Sequence, residues 1–339
     1  MLRTLLNSQQ AGLLFVILLI GTILSLSAGD HVNRVTGEVV NNFLNSYTLM
    51  QTATDASFFV IMAVGATVVI ISGGIDLSVG AVYALAGVMT AMMLRAVGPE
   101  SAFVAVVLSL GMCVGIGVLC GLINGAMVVG LRVHPFIVTL GTMWIYRGVA
   151  FVTSKAESIL VPPSLTDVVK WSISGDALYP MPMIIMLIIT AAGAIYLSRT
   201  VMGRHIFAVG GNVDASRYAG LRINRILIGV YILSGLTAGI AAFVGISYYG
   251  SASCADATGY ELYVIASAVV GGASLRGGRG NAVNAMLGAT LIVLIRQSIR
   301  TLHLDQNYEW IIIGCAIIVA VVLDQMNQHF TTRRLAKEA

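Results

Sequence analysis

Charge is scarce in this chain. Of its 339 residues only 10% are Asp, Glu, Lys or Arg, whereas 58% are hydrophobic, and the mean hydropathy is +0.91. Because soluble globular domains carry about 25% charged residues, the composition excludes a soluble fold. It indicates a protein that crosses a membrane several times.

Lysine is almost absent, which limits how the chain could use ATP. The lysines are Lys155, Lys170 and Lys337, and none follows a glycine-rich turn of the GxxxxGKS/T type. The HExxH and GxSxG patterns of hydrolytic enzymes are absent as well. We therefore expect no enzyme activity and no bound cofactor in this chain, and any ATP hydrolysis should belong to a separate subunit.

Ionisable residues near membrane depth are few. They are Asp76, Arg147, Glu261 and Arg296, a thin set beside the chains of Asp, Glu and His that proton-coupled carriers use. The four cysteines form no CxxC pair, so neither a disulfide framework nor a metal site is indicated. The net charge of +4 comes without a basic patch interleaved with aromatic residues, which argues against nucleic-acid binding.

The apolar runs are hydrophobic on all sides, which is typical of transmembrane helices rather than of alternating transmembrane strands. Six runs are long enough to span a membrane: Ala11–Ala28, Ala56–Ile75, Leu77–Leu94, Ser101–Leu131, Ala177–Ser198 and Ile226–Ala255. Four shorter runs use flanking polar residues or enter only partway: Pro135–Tyr146, Leu262–Leu275, Gly280–Ile295 and Trp310–Leu323. The sequence predicts an all-α, polytopic helical membrane protein of eight to ten spans, in a single domain over residues 1–339.

Arginines set the expected orientation, because Lys and Arg are enriched in cytoplasmic loops. Segment 198–225 carries Arg199, Arg204, Arg217, Arg222 and Arg225, and the C-terminus carries Arg333, Arg334 and Lys337. We expect both on the cytoplasmic side, and the polar segments Gly29–Asp55 and Ser154–Asp176 on the opposite side. The first run resembles a signal peptide, but we expect a retained helix because many spans follow it.

Two glycine pairs interrupt the apolar runs. Gly73 and Gly74 precede Asp76, and Gly271 and Gly272 precede a short polar stretch. Paired broken helices in the two halves of a chain are typical of transporters built from two repeats. Lipid cannot satisfy the backbone groups that a break leaves unpaired, so such backbone must be buried in protein or line a wet cavity. Alternatively, the first pair only ends a span, and Asp76 is the N-cap of the next helix.

The arginine-rich segment 198–225 contains a short helix candidate, Val213–Ala219. Asn212 or Asp214 is well placed to cap its start and Gly220 to end it. A short helix along the cytoplasmic face, flanked by arginines, suits docking into a groove of a soluble partner. The same arginines could equally be a topology signal alone.

Several long stretches carry a family resemblance. They are VVIISGGIDLSVGAVYALAGV (68–88), GLINGAMVVGLRVHPFIVTLGTMWIYRGVAFVTS (121–154), GRHIFAVGGNVDASRYAGL (203–221), SGLTAGIAAFVG (234–245) and GYELYVIASAVVGGASLRGGRG (259–280). Together they resemble the inner-membrane permease subunits of bacterial ABC importers for simple sugars, such as the ribose, xylose and galactofuranose systems. The resemblance runs in order over roughly residues 12–325.

The resemblance implies a permease of ten transmembrane helices in the bacterial inner membrane, with a cytoplasmic C-terminus. Such a permease pairs with a second copy of itself or with a related permease. It receives its sugar from a periplasmic sugar-binding protein and is driven by a cytoplasmic ABC ATPase subunit, to which ATP and Mg bind.

Carried over residue by residue, the resemblance assigns two groups of residues. The ATPase-coupling group is Gly211, Asn212, Asp214, Ala215, Arg217 and Gly220. The signature and helix-break group is Gly73, Gly74, Asp76, Ser78, Glu261, Gly271 and Gly272. The chain departs from the family at Tyr263, which replaces the usual Asp, and this puts in doubt that an acidic pair is required.

Four residues are candidates for the sugar pathway: Asn124 and Thr139 as polar contacts, and Phe136 and Trp144 as ring-stacking surfaces. Each could instead serve helix packing, where small polar residues let helices approach closely. Arg147 is expected to reach an interface or to pair with a carboxylate. The alternative function is a self-contained secondary transporter or channel for a small polar solute, which would work without an ATPase.

Overall fold

The structure is a computed structural model that describes residues 9–32, 37–172, 178–312, 314–315 and 318. Within them the helices are α1 (Gln9–Ser27), α2 (Ser46–Ile71), α3 (Val79–Val97), α4 (Ala102–Leu131), α5 (Pro135–Ser154), α6 (Pro163–Val169), α7 (Met181–Arg199), α8 (Val201–Gly211), α9 (Val213–Tyr218), α10 (Ile223–Tyr249), α11 (Tyr260–Val270) and α12 (Ala282–Thr301). Two short antiparallel strand pairs join β1 (Asp30–Val32) to β2 (Val39–Asn41) and β3 (Ile159–Leu160) to β4 (Ser251–Ala252). Arg333, Arg334, Lys337 and most of the run Trp310–Leu323 lie outside the described residues.

In the described part of the chain, eight helices are long and apolar enough to span a membrane: α1, α2, α3, α4, α5, α7, α10 and α12. This confirms the polytopic helical fold. Helix α11 has 11 residues, and at 1.5 Å per residue it is only about 16 Å long. It therefore enters the bundle without crossing it.

Helix α2 is the centre of the bundle. Within its spanning stretch 94% of the residues are buried, against 6% for α1 and 22% for α7. Helices α7, α10, α11 and α12 pack against it. A helix that is apolar on every side needs protein or lipid on every side, and α2 is surrounded by protein. The first glycine break follows directly after this central helix.

Helices α4 and α10 cross at glycines, which brings their backbones into contact. A Cβ on Gly121 would lie 2.9 Å from the Cα of Ile232, and a Cβ on Gly235 would lie 2.9 Å from the amide nitrogen of Gly121. Small residues allow this approach, which supplies much of the packing between helices in a membrane. The crossing fixes the position of Ser234, the residue next to Gly235.

Several helices are longer than the apolar runs that predicted them. Helix α2 begins at Ser46 rather than at Ala56, and the side chain of Asn45 caps it by accepting the Thr48 N–H at 2.8 Å. The run Pro135–Tyr146 continues as α5 to Ser154, and the run Gly280–Ile295 continues as α12 to Thr301. Both of these runs, expected to be short, are therefore full-length helices.

Candidate functional site

The first glycine break ends α2 with a tight, hydrogen-bonded turn. Gly73 adopts a φ of +86° and donates its N–H to the carbonyl oxygen of Ile70 at 2.9 Å. The N–H of Gly74 donates to the carbonyl oxygen of Val69 at 3.1 Å. These two bonds define a Schellman motif, which satisfies carbonyls that the end of a helix would leave unpaired.

The second break ends α11 in the same way. Gly271 closes the helix, and Gly272 adopts a φ of +89° and donates to the carbonyl oxygen of Val269 at 2.8 Å. The N–H of Ala273 donates to the carbonyl oxygen of Ala268 at 2.9 Å. The two breaks are thus the same motif in two helices. The same pair of bonds also ends α9 and α12, so the motif closes helices generally and does not by itself relate the two breaks.

Asp76 is the hub of a buried polar network at the first break. Its side chain is 3% exposed. One oxygen accepts the N–H of Ser78 at 2.9 Å and its hydroxyl at 2.7 Å, and the other accepts the hydroxyl of Ser234 at 2.8 Å. The prediction that Asp76 is the N-cap is wrong in position, because Ser78 is the cap residue of α3. Asp76 lies two residues earlier and still accepts the Ser78 N–H.

The network continues into α4 and α5. Asn124 donates to the Ser78 hydroxyl at 2.7 Å and accepts the Tyr146 hydroxyl at 3.2 Å. The Thr139 hydroxyl lies within hydrogen-bond distance of two carbonyl oxygens, that of Pro135 in its own helix at 3.0 Å and that of Ile75 at 3.2 Å. Asn124 and Thr139 are fully buried. Two of the four predicted pathway residues therefore bind the helix break itself, which accords with the packing alternative.

The depth of the network follows from Ser234. It is the twelfth residue of α10, a helix of 27 residues, so it lies about 16 Å from the start of a helix about 40 Å long. Asp76 is thus near the middle of the bundle. At such depth a carboxylate is stable only with donors supplied by protein, and the two serines supply them.

Arg147 on α5 holds the loop between α10 and α11. It is 9% exposed and donates to the carbonyl oxygens of Cys254 at 2.7 Å, Asp256 at 2.6 Å and Ala257 at 3.3 Å. Its hydrogen bonds therefore clamp three backbone carbonyls, and the carboxylates of Glu261 and Asp256 are close enough to interact with its charge. In the same loop, burial raises the pKa of Asp256, although the Ser253 N–H and the nearby Arg147 act to lower it.

Glu261 and Tyr263 follow this loop at the start of α11. Glu261 is half-buried, and its Oε2 has no hydrogen-bond partner among the described residues. Tyr263 donates its hydroxyl to Glu309 at 2.7 Å, and the guanidinium of Arg296 lies 5.2 Å from the centre of its ring. The tyrosine that departs from the family pattern is therefore a partner of another acid, Glu309, rather than an acid itself.

The arginine-rich segment divides into an inner and an outer helix. Helix α8 buries Ile206 and Val209, whereas α9 exposes most of its surface, including Tyr218 at 91%. The predicted short helix forms, and Asn212 caps it by accepting the Ala215 N–H at 2.9 Å. The six residues assigned to ATPase coupling are all exposed: Gly211, Asn212, Asp214, Ala215, Arg217 and Gly220.

The two aromatic pathway candidates lie elsewhere. Phe136 is 42% exposed and Trp144 is 68% exposed on the outer face of α5. They are not part of the polar network, and within the isolated chain they do not face an enclosed cavity together with Asn124 and Thr139.

Sequence reasoning missed Ser234 and Tyr146 as members of the network. Ser234 is one serine in an apolar helix, and nothing in its neighbours along the chain identifies a partner 158 positions away. Within the described residues, no group of three or more His, Cys, Asp and Glu side chains could hold a metal ion. The arrangement fixes helices to one another through buried hydrogen bonds.

Comparison with known proteins identifies the family. The model of the family described as branched-chain amino acid transport system / permease component matches residues 48–321. The chain is 36% identical over 323 residues to the ribose import permease protein of Escherichia coli (strain K12), covering 94% of each chain. It is 36% identical over 285 residues to the D-allose transport system permease protein of the same organism, covering 84% of this chain and 85% of the relative.

A third relative is the probable ABC transporter permease protein of Sinorhizobium fredii (strain NBRC 101917 / NGR234), which is 33% identical over 273 residues, 79% of this chain and 78% of the relative. No solved structure matches the chain. The resemblance to sugar importer permeases drawn from the sequence is confirmed. The chain belongs to the branched-chain amino acid transport system / permease component family, a family of membrane transport permeases.

Proposed function

We propose that this chain is the transmembrane permease subunit of an ATP-driven ABC importer and forms the pathway for a monosaccharide delivered by a periplasmic binding protein. The observation that carries the proposal is the presence of two helix breaks within the bundle of a permease whose relatives are named for ribose and D-allose. Broken helices buried in protein are the usual place for substrate passage in transporters.

Three partners complete the proposed importer. A cytoplasmic ABC ATPase, which binds ATP and Mg, docks on α9; a sugar-binding protein delivers substrate from the periplasm; and a second copy or a related permease completes the pathway. The exposure of the ATPase-coupling residues supports the docking site. The protein would lie in the inner membrane with its C-terminus in the cytoplasm, bind no cofactor or nucleic acid itself, and have no enzyme activity of its own.

The proposed pathway includes the exposed rings of Phe136 and Trp144 on α5. In the isolated chain these rings face outward, so a second permease would enclose them. Asn124 and Thr139 support the pathway from behind, because they bind Ser78 and the Ile75 carbonyl rather than open space. Both glycine breaks would then lie beside the sugar without needing to contact it.

Reconstitution tests the proposal. The permease is placed in proteoliposomes with and without the ATPase and the binding protein, and uptake of labelled ribose and D-allose is measured with ATP inside. We expect uptake only with all components and ATP present. Sugar uptake by the permease alone would refute the proposal and favour the alternative, a self-contained secondary transporter or channel.

The docking site is tested by the double variant Asp214→Ala/Arg217→Ala. These side chains form an exposed ion pair at 3.2 Å, so their removal should leave the membrane fold intact while transport falls and ATP hydrolysis continues. A matched control is Lys155→Ala/Glu157→Ala, which removes one exposed base and one exposed acid at the other end of the bundle. Wild-type transport by the Asp214→Ala/Arg217→Ala variant would exclude α9 as the docking helix.

A further inference from the structure

Helix α8 connects the exposed helix α9 to the first glycine break through backbone contact. A Cβ on Gly210 would overlap the carbonyl oxygen of Ile71, the last residue of α2, and would lie 2.7 Å from the amide nitrogen of Gly278. No side chain larger than a hydrogen atom fits at this position. The next residue, Gly211, faces open space, so the close approach is specific to one face of α8.

The second glycine break reaches the same point. The N–H of Gly278 donates to the carbonyl oxygen of Ile71 at 2.8 Å, which bonds the loop after α11 to the end of α2. A Cβ on Gly277 would lie 2.6 Å from the carbonyl oxygen of Gly210 and 3.1 Å from the Cα of Gly73. Three segments that are distant in sequence therefore meet through backbone atoms at this point.

The loop that supplies Gly277 and Gly278 is shaped for this contact. Both residues have positive φ, +88° and +72°, which L-residues with a side chain rarely adopt. The loop is closed by bonds from the Gly277 N–H to the Ser274 carbonyl oxygen at 2.8 Å and from the Ser274 N–H to the Arg279 carbonyl oxygen at 3.1 Å. It is thus a hydrogen-bonded turn held against α2 and α8.

We propose that Gly210, Gly277 and Gly278 form a backbone junction through which the α8–α9 segment and both helix breaks move as one rigid unit. The inference rests on the proposed function, because the junction would carry the motion of the ATPase from α9 to the breaks. Backbone in close contact suits this task, since it has no rotamers to absorb a displacement and packed protein interiors transmit strain. Gly210 is a positioning residue that contacts no sugar.

The test compares Gly210→Ala with the matched control Gly229→Ala in the reconstituted complex of permease, ATPase and binding protein. Gly229 lies within α10 and has open space around it. Both changes replace glycine in a helix by alanine, a better helix former. A difference in transport between the two variants therefore reports the contact of Gly210 with Ile71 and Gly278. Sugar transported and ATP hydrolysed are measured together. We expect Gly229→Ala to have the sugar-to-ATP ratio of the wild type. Gly210→Ala should lower this ratio by about 2-fold to 30-fold, which corresponds to the coupling energies known for residues that lie between two sites.

Equal ratios for the two variants would overturn the proposal. If Gly210→Ala does not assemble, hydrogen exchange in the wild-type complex decides instead. The Gly278 amide should stay protected with ATP and with ADP, and exchange at the rate of an open amide in either state would overturn the rigid junction. Failure of the proposed function gives a different result, because the wild-type permease would then transport sugar without the ATPase.

Discussion

Replacement of Asp76 tests whether its carboxylate is a structural hub or a sugar contact. Both oxygens are used: one accepts two bonds from Ser78 and the other accepts the Ser234 hydroxyl. In Asp76→Asn the remaining oxygen can keep both bonds from Ser78. The new amide can donate to the Ser234 hydroxyl, which also has acceptor lone pairs. A structural hub should therefore tolerate Asn and not Ala.

The magnitude follows from the number of bonds. Side-chain hydrogen bonds inside a membrane protein contribute about 0.6 kcal/mol on average and at most about 1.7 kcal/mol each. Losing three of them in Asp76→Ala should lower the free energy of unfolding by about 2–5 kcal/mol, and the donors left unpaired place the cost in the upper half of that range. For Asp76→Asn we expect a smaller loss of about 1–2 kcal/mol. Both bonds from Ser78 are kept, but the Ser234 hydroxyl proton loses its carboxylate acceptor and the amide adds a second N–H to a buried site.

Unfolding in detergent, followed by tryptophan fluorescence, measures both variants, and the reconstituted complex measures their transport. Two serines of α10 give a matched control: Ser234 bonds to Asp76, whereas Ser247 is equally buried and donates to the Phe243 carbonyl oxygen of its own helix. Ser234→Ala should cost more stability than Ser247→Ala. A well-folded Asp76→Asn that no longer transports would refute the structural reading and make the charge itself functional.

Three further predictions concern other polar groups. Arg147→Met should lower the free energy of unfolding by about 2–4 kcal/mol, because it leaves three carbonyls without a charged donor, and wild-type thermal stability would contradict the clamp. Asp256 has a pKa above its ordinary value of 3.8, so its stabilising contribution is present at low pH and is lost as pH rises from about 4 through the raised pKa. The free energy of unfolding of Asp256→Asn should therefore fall less than that of the wild type over this pH range. Parallel pH profiles for the two proteins would contradict the raised pKa of Asp256. The Tyr231 hydroxyl is buried without a partner among the described residues, so Tyr231→Phe should be neutral or stabilising by up to about 1 kcal/mol, and a clear loss in the same melt would reveal a partner.

Hydropathy predicts the transmembrane helices, because they form where apolar residues transfer into lipid, and these helices make up most of the fold. The long runs become helices, and the breaks occur at the predicted glycine pairs, because glycine punctuates a helix locally. The cap at Asn212 is local as well. The start of α2 was missed because its polar first turns are stabilised by neighbours such as Asn45 and not by hydropathy.

The contacts of the site could not be predicted, because most of them join positions far apart or involve backbone. Ser234 meets Asp76 only after α4 and α10 have crossed at their glycines. The sequence predicts that Arg147 reaches an interface or pairs with a carboxylate, and it does not indicate the three carbonyl oxygens to which the guanidinium donates. Every residue carries a carbonyl, so no residue type in the sequence marks this kind of partner.

Asp76 and Glu261, the two acidic signature residues, differ in how completely their carboxylate oxygens are hydrogen-bonded. This difference indicates which part of the molecule stays fixed and which part moves. Both oxygens of Asp76 accept hydrogen bonds from protein. Glu261 has the backbone N–H groups of residues 259 and 261 and the charge of Arg147 beside it, but its buried Oε2 has no donor among the described residues. A buried acceptor without a donor costs about 1–3 kcal/mol, and more when charged, so a conformation that hydrates or pairs Glu261 gains that energy. Asp76 gains nothing from such a change. When the permease changes conformation, the movement should therefore begin at the Glu261 end of α11. In a hydrogen-exchange measurement, amides of segment 254–262 should exchange with solvent faster than amides of segment 72–78.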